Sequence, residues 1–195
     1  MENNKDYREW LEKIIKDGME LKYVPVELKS RELCELAVKQ DVSGYAMAYV
    51  PEELKTKEFC EMAVLNDSYN LEYVPEEFKT YDMCLEGVEN NGSSLEFVPI
   101  EMKTEELCFV AVKNNGHAID FVPKELITKE MVDIAITNDI DTFIYIPEEF
   151  KTYEMCEAAV KLDIHGHLLP YVPTEFQEEL AQKYDLYLEP KAKGR

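Results

Sequence analysis

The chain of 195 residues carries 41 Asp and Glu against 21 Lys and Arg, a formal charge of −20 that repels nucleic-acid backbones and anionic membranes and favours basic or neutral partners. Its 46% apolar residues argue for a folded core, and no run of about 18 apolar residues offers a membrane span. Five cysteines, an odd number, fit a reducing compartment, and the amphipathic start MENNKDYREWLEKIIKDG lacks the apolar stretch of a secretory signal, so a cytoplasmic protein is expected.

Val-Pro or Ile-Pro pairs recur at Pro25, Pro51, Pro75, Pro99, Pro123, Pro147 and Pro173, and the unit they mark is seen whole in Tyr73 to Glu96, YVPEEFKTYDMCLEGVENNGSSLE. A unit of 24 residues cannot bury its own apolar face and must stack on its neighbours. The expected fold is all-α: a right-handed α-solenoid of about seven short two-helix repeats, capped at both ends and forming one continuous domain.

Residues 1–22 read as a capping half-repeat, because Lys13 stands where a full unit has Ala63 and a terminal face must meet water. Residues 23–170 hold six tandem units of 24 to 26 residues. Two before each proline lies an aromatic residue, such as Tyr73 or Phe97, and four before it an apolar one, such as Leu71 or Leu95. A short first helix is expected to bury both and to stop at the residue preceding proline. The proline then suits the first position of a new turn. A glutamate follows two residues later in every unit (Glu27, Glu53, Glu77, Glu101, Glu125, Glu149, Glu175), where its carboxylate is expected to cap a free N–H. Lys29, Lys55, Lys79, Lys103 and Lys151 sit at the opposite end of that turn.

Ser30, Thr56, Thr80, Thr104, Thr128 and Thr152 are N-cap residues for a longer second helix whose core face is typified by Phe59, Cys60, Ala63 and Val64. The third of these places holds only Ala or Gly, which implies a close approach of neighbouring helices. Gly92 and Gly116 are expected to supply the left-handed conformation of a C-terminal cap. The insertions DVSGYAMA (41–48) and DIHGHLLP (163–170) enlarge loops. Residues 171–195 form a last capping repeat, with a helix near 175–184 and a loose tail, EPKAKGR.

The unit Leu-x-Tyr-Val-Pro-x-Glu-Leu-Lys-Thr-x-Glu-x-Cys-x-x-Ala-Val resembles a bacterial family of tandem helical repeats of unknown function, built from copies like ALxYVPEELKTxExCLxAVKxNG. The resemblance runs over about residues 5–188, with Ile127 in place of Lys and Val132 in place of Cys as departures. It implies an all-helical array and brings no activity or cofactor.

Chemistry has few candidates. Cys34, Cys60, Cys84, Cys108 and Cys156 recur at a place that also accepts Val132, so they read as core rather than as metal ligands, which need paired C-x-x-C or Cys/His spacing. Asp163, His165 and His167 form one compact metal-like cluster, and a metal-dependent enzyme using the His165/His167 loop is the least favoured reading. No phosphate loop, nucleophile elbow or zinc-protease motif is present. Ten residues after the proline the units read Glu35, Glu61, Leu85, Phe109, Asp133 and Glu157, a place roughly 130° from the centre of the core face. Leu85 and Phe109 there, with Tyr81, Ile100 and Tyr153, make an apolar spot rimmed by acids, a docking place for a basic, amphipathic protein partner. The leading expectation is a non-enzymatic scaffold for protein–protein interaction, without cofactor or direct nucleic-acid binding. The alternative is an acidic mimic of nucleic acid that occupies a DNA-binding protein.

Overall fold

The computed structural model describes residues 2–163 and 167–186, whose regular elements are all helices, with no strand among them. Eight α-helices follow one another: α1 Glu2–Ile14, α2 Arg31–Gln40, α3 Lys57–Asn66, α4 Tyr81–Asn90, α5 Glu105–Asn114, α6 Lys129–Asn138, α7 Tyr153–Leu162 and α8 Thr174–Lys183. Each helix from α2 to α7 starts where the sequence places it. Ser30 and the five threonines accept a bond from the N–H three residues on at 3.2–3.3 Å.

The shorter helix of each unit is a 3₁₀ helix, for example Ser68–Tyr73 or Gly92–Phe97. An Asp or Asn that ends the preceding α-helix starts it, as when Asn91 accepts the N–H of Ser93 at 3.1 Å. The apolar residue four before proline is buried in every unit, yet the aromatic two before it is not. Tyr23 is 63% and Tyr171 49% exposed, and the Val or Ile between aromatic and proline takes the buried place. With three residues per turn, the places two and four before proline cannot share a face, whereas places one and four do.

The proline precedes a second, three-residue 3₁₀ turn and caps it through its carbonyl, as in Phe78 N–H to Pro75 O at 2.9 Å. A cap without an N–H has nothing to return to the glutamate. The seven acids stand in solvent at the positive end of the turn rather than closing a capping box.

The lysines that follow do more than face the end of their own turn. Lys29, Lys79, Lys103 and Lys151 donate to the carbonyls of Tyr49, Phe97, Phe121 and Tyr171 at 2.8–2.9 Å. Each therefore spans one α-helix and satisfies the last carbonyl of the next 3₁₀ segment, a group with no partner in its own helix. Burial pushes the Lys103 and Lys151 ammonium groups below the ordinary lysine value. Asn114 works in the opposite sense, donating to Glu89 O at 2.7 Å and accepting from Gly92 N–H at 2.8 Å.

The α-helices form one row and the longer 3₁₀ segments a second, with the core between them. Where the rows meet, backbone approaches backbone. A Cβ on Gly92 would lie 2.2 Å from Ala111 O, and one on Gly116 3.1 Å from Ala135 O. These glycines serve close approach to the next α-helix, not a left-handed cap, because among the described residues the positive-φ glycine is Gly44 at 76°. Gly44 belongs to the first insertion, which Asp41 folds by accepting bonds from Ser43 and from Ala46 N–H. Burial pushes the Asp41 carboxyl up, but these bonds outweigh it and hold it below its ordinary value. In the second insertion Asp163 accepts from Leu168 N–H in the same way.

At the ends, Lys13 is exposed over the Trp10 ring at 4.1 Å. After Pro173 the chain enters α8 directly, burying Leu180 and Ala181. The tail at 189–195 lies outside the described residues.

Candidate protein-binding surface

The N-terminal halves of α5 and α6 flank a depression of about 650 Å³ lined by Phe109, Glu105, Glu106, Thr128 and Glu130. Thr104 and Thr128, as N-caps, fix where each helix begins, so the acids of both first turns project beside the Phe109 ring. Phe109 itself is half-buried against the core. The lining has three carboxylates and no cation. A comparable depression of about 660 Å³ between the α3 and α4 units also contains Lys55 and Lys57 beside Glu52, Glu53, Glu58 and Glu77. The α5/α6 depression therefore joins an apolar floor to a rim of one sign.

Of the five residues picked out in the sequence, Phe109 lines this depression. Leu85 is half-buried on the core from α4. Ile100 stands 66% exposed on the turn after Pro99. The two tyrosines reach the next repeat: Tyr81 Oη lies 3.3 Å from Thr104 Oγ1, and Tyr153 donates to Glu179 at 2.6 Å while its ring meets Phe176 edge-on. Tyr7 makes the same crossing to Ser30 at 3.3 Å. The first place of the repeat's α-helix, which Tyr7 matches inside the longer α1, is thus an inter-repeat clip when it carries tyrosine, a use not legible from one unit because its partner lies 23 residues away in Tyr7 and Tyr81.

The other chemical candidates resolve separately. All five cysteines are free and buried, and burial pushes their thiols up to about 11, which disfavours the nucleophilic thiolate. His165 lies outside the described residues, among which no group of three or more His, Cys, Asp and Glu is placed to hold a metal. His167 lines a depression of about 510 Å³ with Asp141, Ile144 and Asp163. His117 Nε2 lies 3.1 Å from Asp139 Oδ2. The Asp141 N–H and then His117 hold the Asp139 carboxyl below its ordinary value. The equivalent contact one unit earlier is Asn115 to Ser93 Oγ at 2.7 Å, so the histidine occupies a linking position of the array.

No helix among the described residues is long and apolar enough to cross a membrane. Neither the comparison with curated proteins nor that with solved structures gives a match. The model of one repeat family, described as Domain of unknown function (DUF4116), matches residues 10–55, 30–79 and 80–127, each stretch about two units long. Those matches together take in more than half of the chain and follow its joints, and the chain belongs to that family of tandem helical repeats.

Proposed function

We propose that this chain is a non-enzymatic, cytoplasmic scaffold that docks a basic, amphipathic segment of another protein along its acidic surface. The observation that supports this reading is the α5/α6 depression, where the Phe109 ring is framed by Glu105, Glu106 and Glu130 without a compensating cation. Apolar contact supplies salt-resistant affinity there, and the net charge of −20 accelerates encounter with a basic partner.

The test is a titration with a synthetic helix of about 18 residues carrying a leucine stripe on a lysine background, beside a version with a serine stripe. Phe109→Glu is the informative variant, because other units hold Glu35, Glu61 and Glu157 at that place and fold. We expect the leucine helix to stay bound at about 0.5 M salt and to lose at least about tenfold in affinity with Phe109→Glu. Binding that is equal for both helices, abolished by salt and indifferent to Phe109→Glu refutes apolar docking and leaves charge alone, as in a nucleic-acid mimic.

A further inference from the structure

Consecutive α-helices pack closely from α1 to α6 and again from α7 to α8, while α6 and α7 meet least closely. The core divides there into two clusters, and Ile136 and Met155, both half-buried, touch each of them. The cause is local. Where Gly92 and Gly116 admit the next α-helix, this unit has Ile140, and no branched side chain fits a space that a single Cβ would already crowd. Ile127, which stands in place of the lysine, also lacks the ammonium that would clamp the carbonyl of Tyr145.

A cleft of about 280 Å³ lies between the first halves of α6 and α7. Phe150 and Met155, both half-buried, form its accessible apolar lining above the buried Val132, and Asp133 and Glu149 outnumber the one cation, Lys129, on its rim. The space takes one large side chain, not a helix.

We propose that this cleft is an anchor pocket for a single Phe, Leu or Met side chain flanked by basic residues. The proposal rests on the scaffold reading above, since the anchor would belong to the same kind of basic segment, but it names a different place on the array. Burial of one such side chain in an apolar pocket accounts for about a tenfold or greater preference over serine. The two rim carboxylates select lysine or arginine beside it.

The test uses the full chain with methyl-labelled methionine and two capped pentapeptides, KKFKK and KKSKK, followed by NMR. KKFKK should move the Met155 methyl signal and bind about tenfold more tightly than KKSKK. Met155→Trp, which fills the cleft, should abolish that preference, its fold being checked by circular dichroism and urea melting. Asp133→Lys, an exposed change that leaves the packing alone, should weaken both peptides. Equal binding of the two peptides, a Met155 signal that stays still, or a preference that survives Met155→Trp overturns the pocket. If the pentapeptides fail while the leucine helix still binds through Phe109, the pocket falls and the scaffold reading stands. Failure of all these ligands removes both.

Discussion

The joint between α5 and α6 and the joint between α6 and α7 use the same positions of one repeat and come out differently. At the first, Gly116 lets Ala135 approach, and Lys103 clamps the carbonyl of Phe121 at 2.9 Å across α5. At the second, Ile140 and Ile127 replace both devices and the core divides. Three of the four core places hardly change, since Met131, Val132 and Ala135 of α6 are as buried as Leu107, Cys108 and Ala111 of α5, while Ile136 is half-buried where Val112 is fully buried. Stacking in this array is decided by backbone approach and by satisfied carbonyls; the apolar pattern supplies the driving force but not the fit.

The comparison breaks most visibly at the glycines. In Gly92→Ala the new Cβ would meet a backbone oxygen at 2.2 Å, so the joint must shift. A loss of about 3 kcal/mol in urea melts is expected, the upper part of the range for overpacking. Ile140→Gly should cost no more than about 1 kcal/mol, because lost burial of a half-buried side chain is offset by closer approach of α7. Equal losses at the two sites would show that Ile140 is not what parts the helices.

Next in size is the lysine clamp. Lys103→Met keeps the apolar stem but leaves the Phe121 carbonyl without its donor, for an expected loss of about 2 kcal/mol. Ile127→Lys attempts the converse at the open joint and should recover less, since the ammonium must be desolvated without the full set of neighbours. A Lys103→Met variant as stable as the parent would reduce the clamp to a surface contact.

The divided core also predicts a kinetic difference. All five thiols are buried, so labelling in the folded state requires local opening. Cys156, beyond the open joint, should react about tenfold faster than Cys108, and Ile140→Gly should narrow the gap. Identical rates would mean that the two clusters open as one.

Near neutral pH, Asp41→Asn should cost about 1 kcal/mol through weaker bonds to Ser43 and Ala46. The Asp41 carboxyl titrates below its ordinary 3.8 when folded, so its contribution is full above that value and declines as pH falls through the folded one. The difference between parent and variant should therefore shrink on acidification below about pH 4. A difference that grows instead would reverse the sign of the shift.

Much of the array is legible in its sequence because each unit repeats the same local chemistry. Threonine N-caps and proline stops act within one unit, and the small residue at Ala63 or Ala111, though it serves a neighbouring unit, recurs at one place, so period alone exposes them. What escapes is whatever acts between units or depends on the kind of helix. In the 3₁₀ segment Ser68–Tyr73 the place just before the proline, Val74, shares the buried face of Leu71, and Tyr73 is left half-buried at its edge. Tyr81 and Tyr153 look like free apolar surface until their partners in the next unit are seen. Lys103 reads as a helix-end charge because the carbonyl it serves lies 18 residues away. The Phe109 spot was visible as an acid replaced by a ring, whereas its acid frame needed the neighbouring helix start.

Gly87 gives a small effect of the opposite sign and separates two uses of glycine that look alike in the repeat. It occupies the alanine place inside α4, and a Cβ there would meet only Leu71 at 3.5 Å and Ser94 and Val64 at 3.9 Å, ordinary contacts. Glycine in a helix interior is less favourable than alanine by about 1 kcal/mol, so Gly87→Ala should raise stability by about that amount. The same substitution at Gly92 should lower it severalfold more. The opposite signs follow from what faces each Cβ: side chains in van der Waals contact at one place, a backbone carbonyl at the other. If urea melts give Gly87→Ala as a loss, then α4 lies against its neighbours more tightly than the contacts around Gly87 allow, and the contrast between near-optimal and open joints must be redrawn along the array.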